Sequence, residues 1–99
     1  MEELESRLIY TFPRGLGEEI QIALRKYHGK HYIDIRVWFQ EKKSKEFRPT
    51  RKGISFPALQ TTELKRGVDR FLKATETMDF SSEARVVAPS SRTHQNSPY

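Results

Sequence analysis

Whatever chemistry this chain performs rests on three aromatic residues set among cations. Tyr27, Tyr32 and Trp38 lie among Arg25, Lys30 and Arg36, with Arg48, Arg51 and Lys52 further along. Unpaired bases stack on such rings while cations track the phosphates, each stack contributing about 1–3 kcal/mol. A duplex hides the flat faces of its bases, so the pattern suits single strands. The same residue types on an exposed sheet also serve cross-strand pairing and solubility.

Other chemistries find no matching set of residues. The chain has no cysteine, no Gly-x-Ser-x-Gly elbow and no phosphate-cradling glycine-rich loop, so no activated nucleophile is evident. His28, His31 and His94 lack metal-ligand spacing, and the first two, flanking a turn, read as structural. Asp34 has no acidic partner on its face, which leaves out a carboxylate pair. The expectation is a binding protein without catalytic activity, cofactor or metal.

Charge sharpens the choice of partner. The net charge of +5 is concentrated between residues 20 and 56, where ten cations face three acids, whereas residues 1 to 19 carry two cations and five acids. Concentrated positive charge points to a polyanion. No apolar run is long enough to cross a bilayer, and the opening Met-Glu-Glu-Leu-Glu is unlike a secretory signal. An intracellular protein with no membrane partner is expected, in the cytoplasm or nucleoid of a prokaryote or the nucleus of a eukaryote.

The elements that position these residues follow from periodicity. Residues 1–18 are acidic and broken by Pro13, Gly15 and Gly17, and read as a loose arm or a short helix over Glu2 to Leu8. From Glu19 the pattern turns to period two: Ile20, Ile22 and Leu24, then Ile33, Ile35 and Val37, alternate with polar or aromatic residues. Glycine and histidine both tolerate the positive φ of a two-residue hairpin loop, which places His28-Gly29 at the turn. Opposite residues then have numbers that sum to 57, so Leu24 meets Ile33, Ile22 meets Ile35 and Ile20 meets Val37 on one face. The other face takes Arg25 against Tyr32, Tyr27 against Lys30, Gln21 against Arg36 and Glu19 against Trp38. A one-residue slip would mix the two sets, so the register is specified.

Further strands are expected at Phe47 to Pro49 and at Ile54 to Phe56, with Gly53 marking a bulge or turn. Pro57 suits the first turn of a helix. Leu64, Val68, Phe71 and Leu72 then form an apolar stripe that runs to about Lys73 or Thr77 and is expected to cover the greasy face of the sheet. Gly67 inside this helix implies a close packing contact. Residues 19–78 thus make one domain, and residues 79–99 read as a disordered tail. A core of about 60 residues buries only about 60% of its unfolded surface, and with no disulfide available a second subunit is the expected support.

The block Tyr27-His28-Gly29-Lys30, then Ile33-Asp34-Ile35-Arg36, then Arg51-Lys52-Gly53-Ile54-Ser55 resembles the transcriptional coactivator family called positive cofactor four, over about Glu19 to Lys73. The resemblance implies an α+β fold: a curved four-stranded antiparallel sheet followed by one amphipathic helix, forming a homodimer that binds single-stranded DNA. By position it carries over Arg25 and Tyr27 as a basic and a stacking residue, Arg36 as the strand arginine, Lys52 as the lysine of Arg-Lys-Gly and Phe39 as a second stacking aromatic. Strict alternation disagrees on the last point, placing Phe39 on the greasy side and Trp38 on the polar side. Either a bulge re-aims Phe39 or Trp38 takes that role. The acidic start differs from the Ser/Lys-rich regulatory region of the animal coactivators, so their regulation is not carried over. The connection after Phe39 is basic enough to extend the charged track through Lys42, Lys43 and Lys45.

The expected function is single-stranded DNA binding with little sequence specificity, as a coactivator-like or replication and repair accessory protein. The expected binding residues are Arg25, Tyr27, Lys30, Tyr32, Arg36, Trp38, Phe39, Arg48, Arg51 and Lys52. Single-stranded RNA, or a protein of the transcription machinery as the main partner, are the alternatives.

Overall fold

A computed structural model describes residues 5–83. Four antiparallel strands in sequential order form one open sheet: β1 (Glu5–Gly15), β2 (Glu18–Tyr27), β3 (Lys30–Gln40) and β4 (Phe47–Pro57). A 3-10 turn at Ala58–Gln60 leads into the helix α1 (Thr61–Ala74), and a second 3-10 turn spans Ser81–Glu83. The rest of the stretch read as a tail, residues 84–99, lies outside the described residues, as do residues 1–4.

The β2–β3 hairpin has the expected register, with Ile20 opposite Val37, Ile22 opposite Ile35 and Leu24 opposite Ile33. His28 and Gly29 both have positive φ, 53° and 75°, as a tight hairpin loop requires. The pairing continues without a break to Glu18 opposite Phe39.

Three expectations about the elements need correction. The segment read as a loose arm or short helix contains β1, which places Tyr10 opposite Ile22 and Phe12 opposite Ile20. Pro13 is compatible with this because β1 is an edge strand, where a missing N–H need not break a ladder. Gly17, at φ 74°, supplies the turn to β2. The two short strands expected after residue 46 are one strand, β4, interrupted by a bulge before Gly53. The helix begins at Thr61, and Pro57 instead closes β4.

The fourth correction concerns packing. The helix makes no extended contact with any strand of its own sheet. Val68, Phe71 and Leu72 are about half exposed, and a Cβ at Gly67 would meet nothing within 4 Å. Val37 is the one fully buried apolar residue among those described, at 7% exposure. The other buried residues are polar: Thr11, Glu19, Gln21 and Asp34. The polar face thus holds most of the buried residues among those described, whereas on the greasy face only Val37 is buried, Ile20, Ile22, Leu24, Ile33 and Ile35 are half-buried, and Ile54 is exposed.

Candidate nucleic-acid interface

Side chains two residues apart on a strand share a face, so the polar face collects Ala23, Arg25 and Tyr27 from β2 and Tyr32, Asp34, Arg36 and Trp38 from β3. Two adjoining hollows mark it. One, of about 440 Å³, is lined by Arg25, Tyr27, Tyr32 and Ser55. The other, of about 540 Å³, takes in Arg25, Asp34, Arg36, Trp38, Thr50 and Arg51. Arg25 borders both, standing between the tyrosine pair and the tryptophan.

Tyr27 is 47% exposed at the mouth of the first hollow and packs edge-on against the His28 ring, with centroids 4.0 Å apart. The hairpin turn thereby helps to hold the tyrosine ring. At the opposite end of the same face lies a buried polar pair. Glu19, opposite Trp38, is fully buried and accepts a hydrogen bond from Gln21 Nε2 at 2.7 Å.

Arg36 is held more tightly than its neighbours. Its Nε and Nη2 donate to the two oxygens of Asp34 at 3.1 and 2.9 Å, and its Nη1 donates to the carbonyl of Thr50 at 3.1 Å. The bond to Asp34 raises the guanidinium pKa above arginine's already high value, outweighing the opposing effect of burial. Thr50 is itself fixed, its hydroxyl donating to the Val37 carbonyl at 2.8 Å and accepting from the Lys52 N–H at 3.1 Å. Lys52 is exposed on this bulge, next to Arg51.

The remaining candidates lie elsewhere. The β2–β3 ladder has no bulge, so Phe39 stays on the greasy face, 40% exposed, and Trp38 on the polar one. Arg48 is opposite Phe39 and ion-pairs with Glu41 and Glu46 at 3.5 and 3.6 Å. Lys30 is opposite Tyr27 but borders a different hollow, with Leu24, His31 and Leu59. Lys42, Lys43 and Lys45 are exposed on the β3–β4 loop. Sequence reasoning missed Ser55, Thr50 and the part played by Asp34. Ser55 could have been found from its i+2 spacing to Gly53, whereas Thr50 depends on a bulge whose extent the sequence does not reveal.

A family profile described as "Transcriptional Coactivator p15 (PC4)" matches residues 15–67, more than half of the chain. The chain belongs to the PC4 family. Solved structures agree on the fold. A bacteriophage T5 homolog of the eukaryotic coactivator PC4, implicated in recombination-dependent DNA replication, is 23% identical with a TM-score of 0.57, over 82% of this chain and 90% of that one. A PC4 homolog from Burkholderia pseudomallei is 26% identical in two crystal forms. The orthorhombic form has a TM-score of 0.62 over 73% of this chain and 93% of that one. The tetragonal form has a TM-score of 0.59 over 65% and 93%. No curated protein matches the chain at a significant level. Among the described residues no helix is long and apolar enough to cross a membrane.

Proposed function

We propose that this PC4-family protein binds single-stranded DNA, with little preference for sequence, across the polar face of its sheet. The observation that carries the reading is the row of Tyr27, Tyr32 and Trp38 around Arg25, with two hollows that share Arg25 as a wall. Rings supply stacking that every base can use, and Arg25, Arg51 and Lys52 supply charge for the phosphates. Holding melted or displaced strands in this way fits a coactivator-like role or an accessory role in replication and repair.

The working unit in this reading is a homodimer. The greasy face of the sheet and the apolar stripe of α1 are both incompletely covered in the single chain, and each has the chemistry to cover the other across two subunits. A chain with so little buried apolar surface gains its missing core by such pairing.

Titration with oligothymidine at low and moderate salt tests the binding. Trp38 fluorescence should change on binding, and affinity should fall as salt rises, because bound phosphates release counterions. Unchanged fluorescence, or affinity indifferent to salt, would sink the proposal. The matching oligouridine separates DNA from RNA, since discrimination requires a contact to the 2′-OH.

A further inference from the structure

Arg36 looks like one more phosphate-binding cation, but its hydrogen bonds describe a different part. Three of its five N–H donors are committed, two to Asp34 and one to the Thr50 carbonyl. Asp34 is 3% exposed, so the two charges form a sheltered, neutral pair. A phosphate approaching the guanidinium would meet the field of that carboxylate behind it, which cancels most of the attraction at a distance.

What the pair does hold is the bulge of β4. Thr50, Arg51 and Lys52 stand opposite Val37 alone, between the pairs Trp38–Pro49 and Arg36–Gly53. Residues of a bulge lose their ladder partners and need other anchors. Here the anchors are Arg36 Nη1 on the Thr50 carbonyl and the Thr50 hydroxyl, which bridges the Val37 carbonyl and the Lys52 N–H. Gly53 completes the fit. A Cβ there would lie 2.8 Å from the Ile35 carbonyl oxygen and 2.9 Å from both Cβ and Cγ of Arg36, so only glycine lets the arginine stem cross β4.

We infer that Arg36 is a positioning residue: clamped by Asp34, it fixes the Thr50–Lys52 bulge and thereby aims Arg51 and Lys52 at the bound strand. The inference rests on the proposed function and assigns within it which cations touch phosphate and which one places them.

Binding of labelled oligothymidine, followed by anisotropy over a salt series, tests this with Asp34→Asn and Arg36→Lys. Both should weaken binding about five- to tenfold, because each breaks the planar fork while keeping a cation at position 36. Both should also flatten the salt dependence, by about 0.7 in slope for each phosphate no longer neutralised, although Asp34→Asn makes the protein more positive. If Arg36 itself grips phosphate, Asp34→Asn frees its charge and tightens binding, and Arg36→Lys leaves affinity within about twofold. Either result overturns the inference. Wild-type protein that binds no oligothymidine removes the proposed function as well, whereas tight wild-type binding with a tighter Asp34→Asn removes only the clamp. Hydrogen exchange on the wild type needs no variant: the Lys52 amide should exchange slowly, and exchange at the rate of an unstructured amide would overturn the clamp however the variants fold.

Discussion

The two faces of this sheet reverse the usual arrangement of a small protein. Thr11, Glu19, Gln21 and Asp34 are buried on the polar face, whereas on the other face Val37 alone among the described residues is buried, Ile54 is 55% exposed, and the helix stripe at Val68, Phe71 and Leu72 is about half exposed. A sheltered polar surface is not a core, because its groups must find hydrogen bonds before their burial costs nothing. Glu19, Gln21, Asp34 and Arg36 do so among themselves and with the backbone, while Thr11 Oγ1 is buried without a partner among the described residues. Apart from Thr11, the buried polar groups of one face are thus satisfied within the chain, whereas much of the apolar surface of the other stays uncovered.

The largest expected effect tests that difference directly. Phe71→Ala should cost about 3–5 kcal/mol if the ring is buried in a homodimer. The same change at a surface that stays open should stay within about 0.5 kcal/mol. Thermal melts at several protein concentrations, with sedimentation to follow the dimer, separate the two. A concentration-independent melt that is indifferent to Phe71→Ala would end the dimer proposal.

The next effect distinguishes the faces through neighbouring residues. Trp38 and Phe39 are adjacent in sequence and opposite in direction, so alanine at Trp38 should weaken oligothymidine binding by about 1–3 kcal/mol, the worth of one base stack. Phe39→Ala should leave affinity per folded dimer unchanged and affect stability instead. The reverse pattern would mean that the strand lies on the other face.

This pair also shows how much was legible beforehand. Alternation and the His28-Gly29 turn were enough to place every β2 residue opposite its β3 partner, because a tight loop and a period of two leave one register that separates isoleucines from cations. The same reasoning put Trp38 on the polar side, against the positional likeness that favoured Phe39. Local breakers misled at β1, where Pro13 and Gly17 are edge and turn devices of a strand, not its absence. Packing was the least legible. An amphipathic stripe announces that a helix will be covered without saying by which chain, and so the stripe of α1 was assigned to a sheet with which it makes no extended contact. The Arg36 clamp was hidden for a related reason: its third partner, Thr50, is fourteen residues away across a bulge.

A smaller effect concerns the turn that keeps the faces apart. His28 holds φ 53°, a conformation that costs a non-glycine residue about 1–2 kcal/mol and a β-branched one more. His28→Gly should raise the melting temperature or leave it unchanged, and His28→Val should lower it. Neither change should alter the salt slope of binding, since the turn contributes no cation. A loss of slope in His28→Val would instead indicate a slipped register that carries Arg25 off the polar face.

The smallest effect lies in the β3–β4 loop, which joins the faces at one end. The Ser44 hydroxyl donates to Glu41 Oε1, and Arg48 Nη2 lies 3.5 Å from the same oxygen. Together they hold the Glu41 carboxyl below the ordinary carboxylate value, with the hydroxyl the stronger cause. A depressed folded-state pKa stabilises the closed loop fully above the ordinary glutamate value and loses that contribution as pH falls through the lowered one. The Glu46 N–H, which donates to the Ser44 hydroxyl, and the Lys45 N–H, which donates to the Glu41 carbonyl, report on the loop. Their NMR shifts should move together on acidification, with a midpoint below that of an unperturbed glutamate, while the Trp38 indole signal stays still. Ser44→Ala should bring that midpoint back toward the ordinary value. If the Trp38 signal moved with the loop, the two faces would be coupled through the β3–β4 connection, and the separation between the polar face and the apolar one would have to be given up at this end of the sheet.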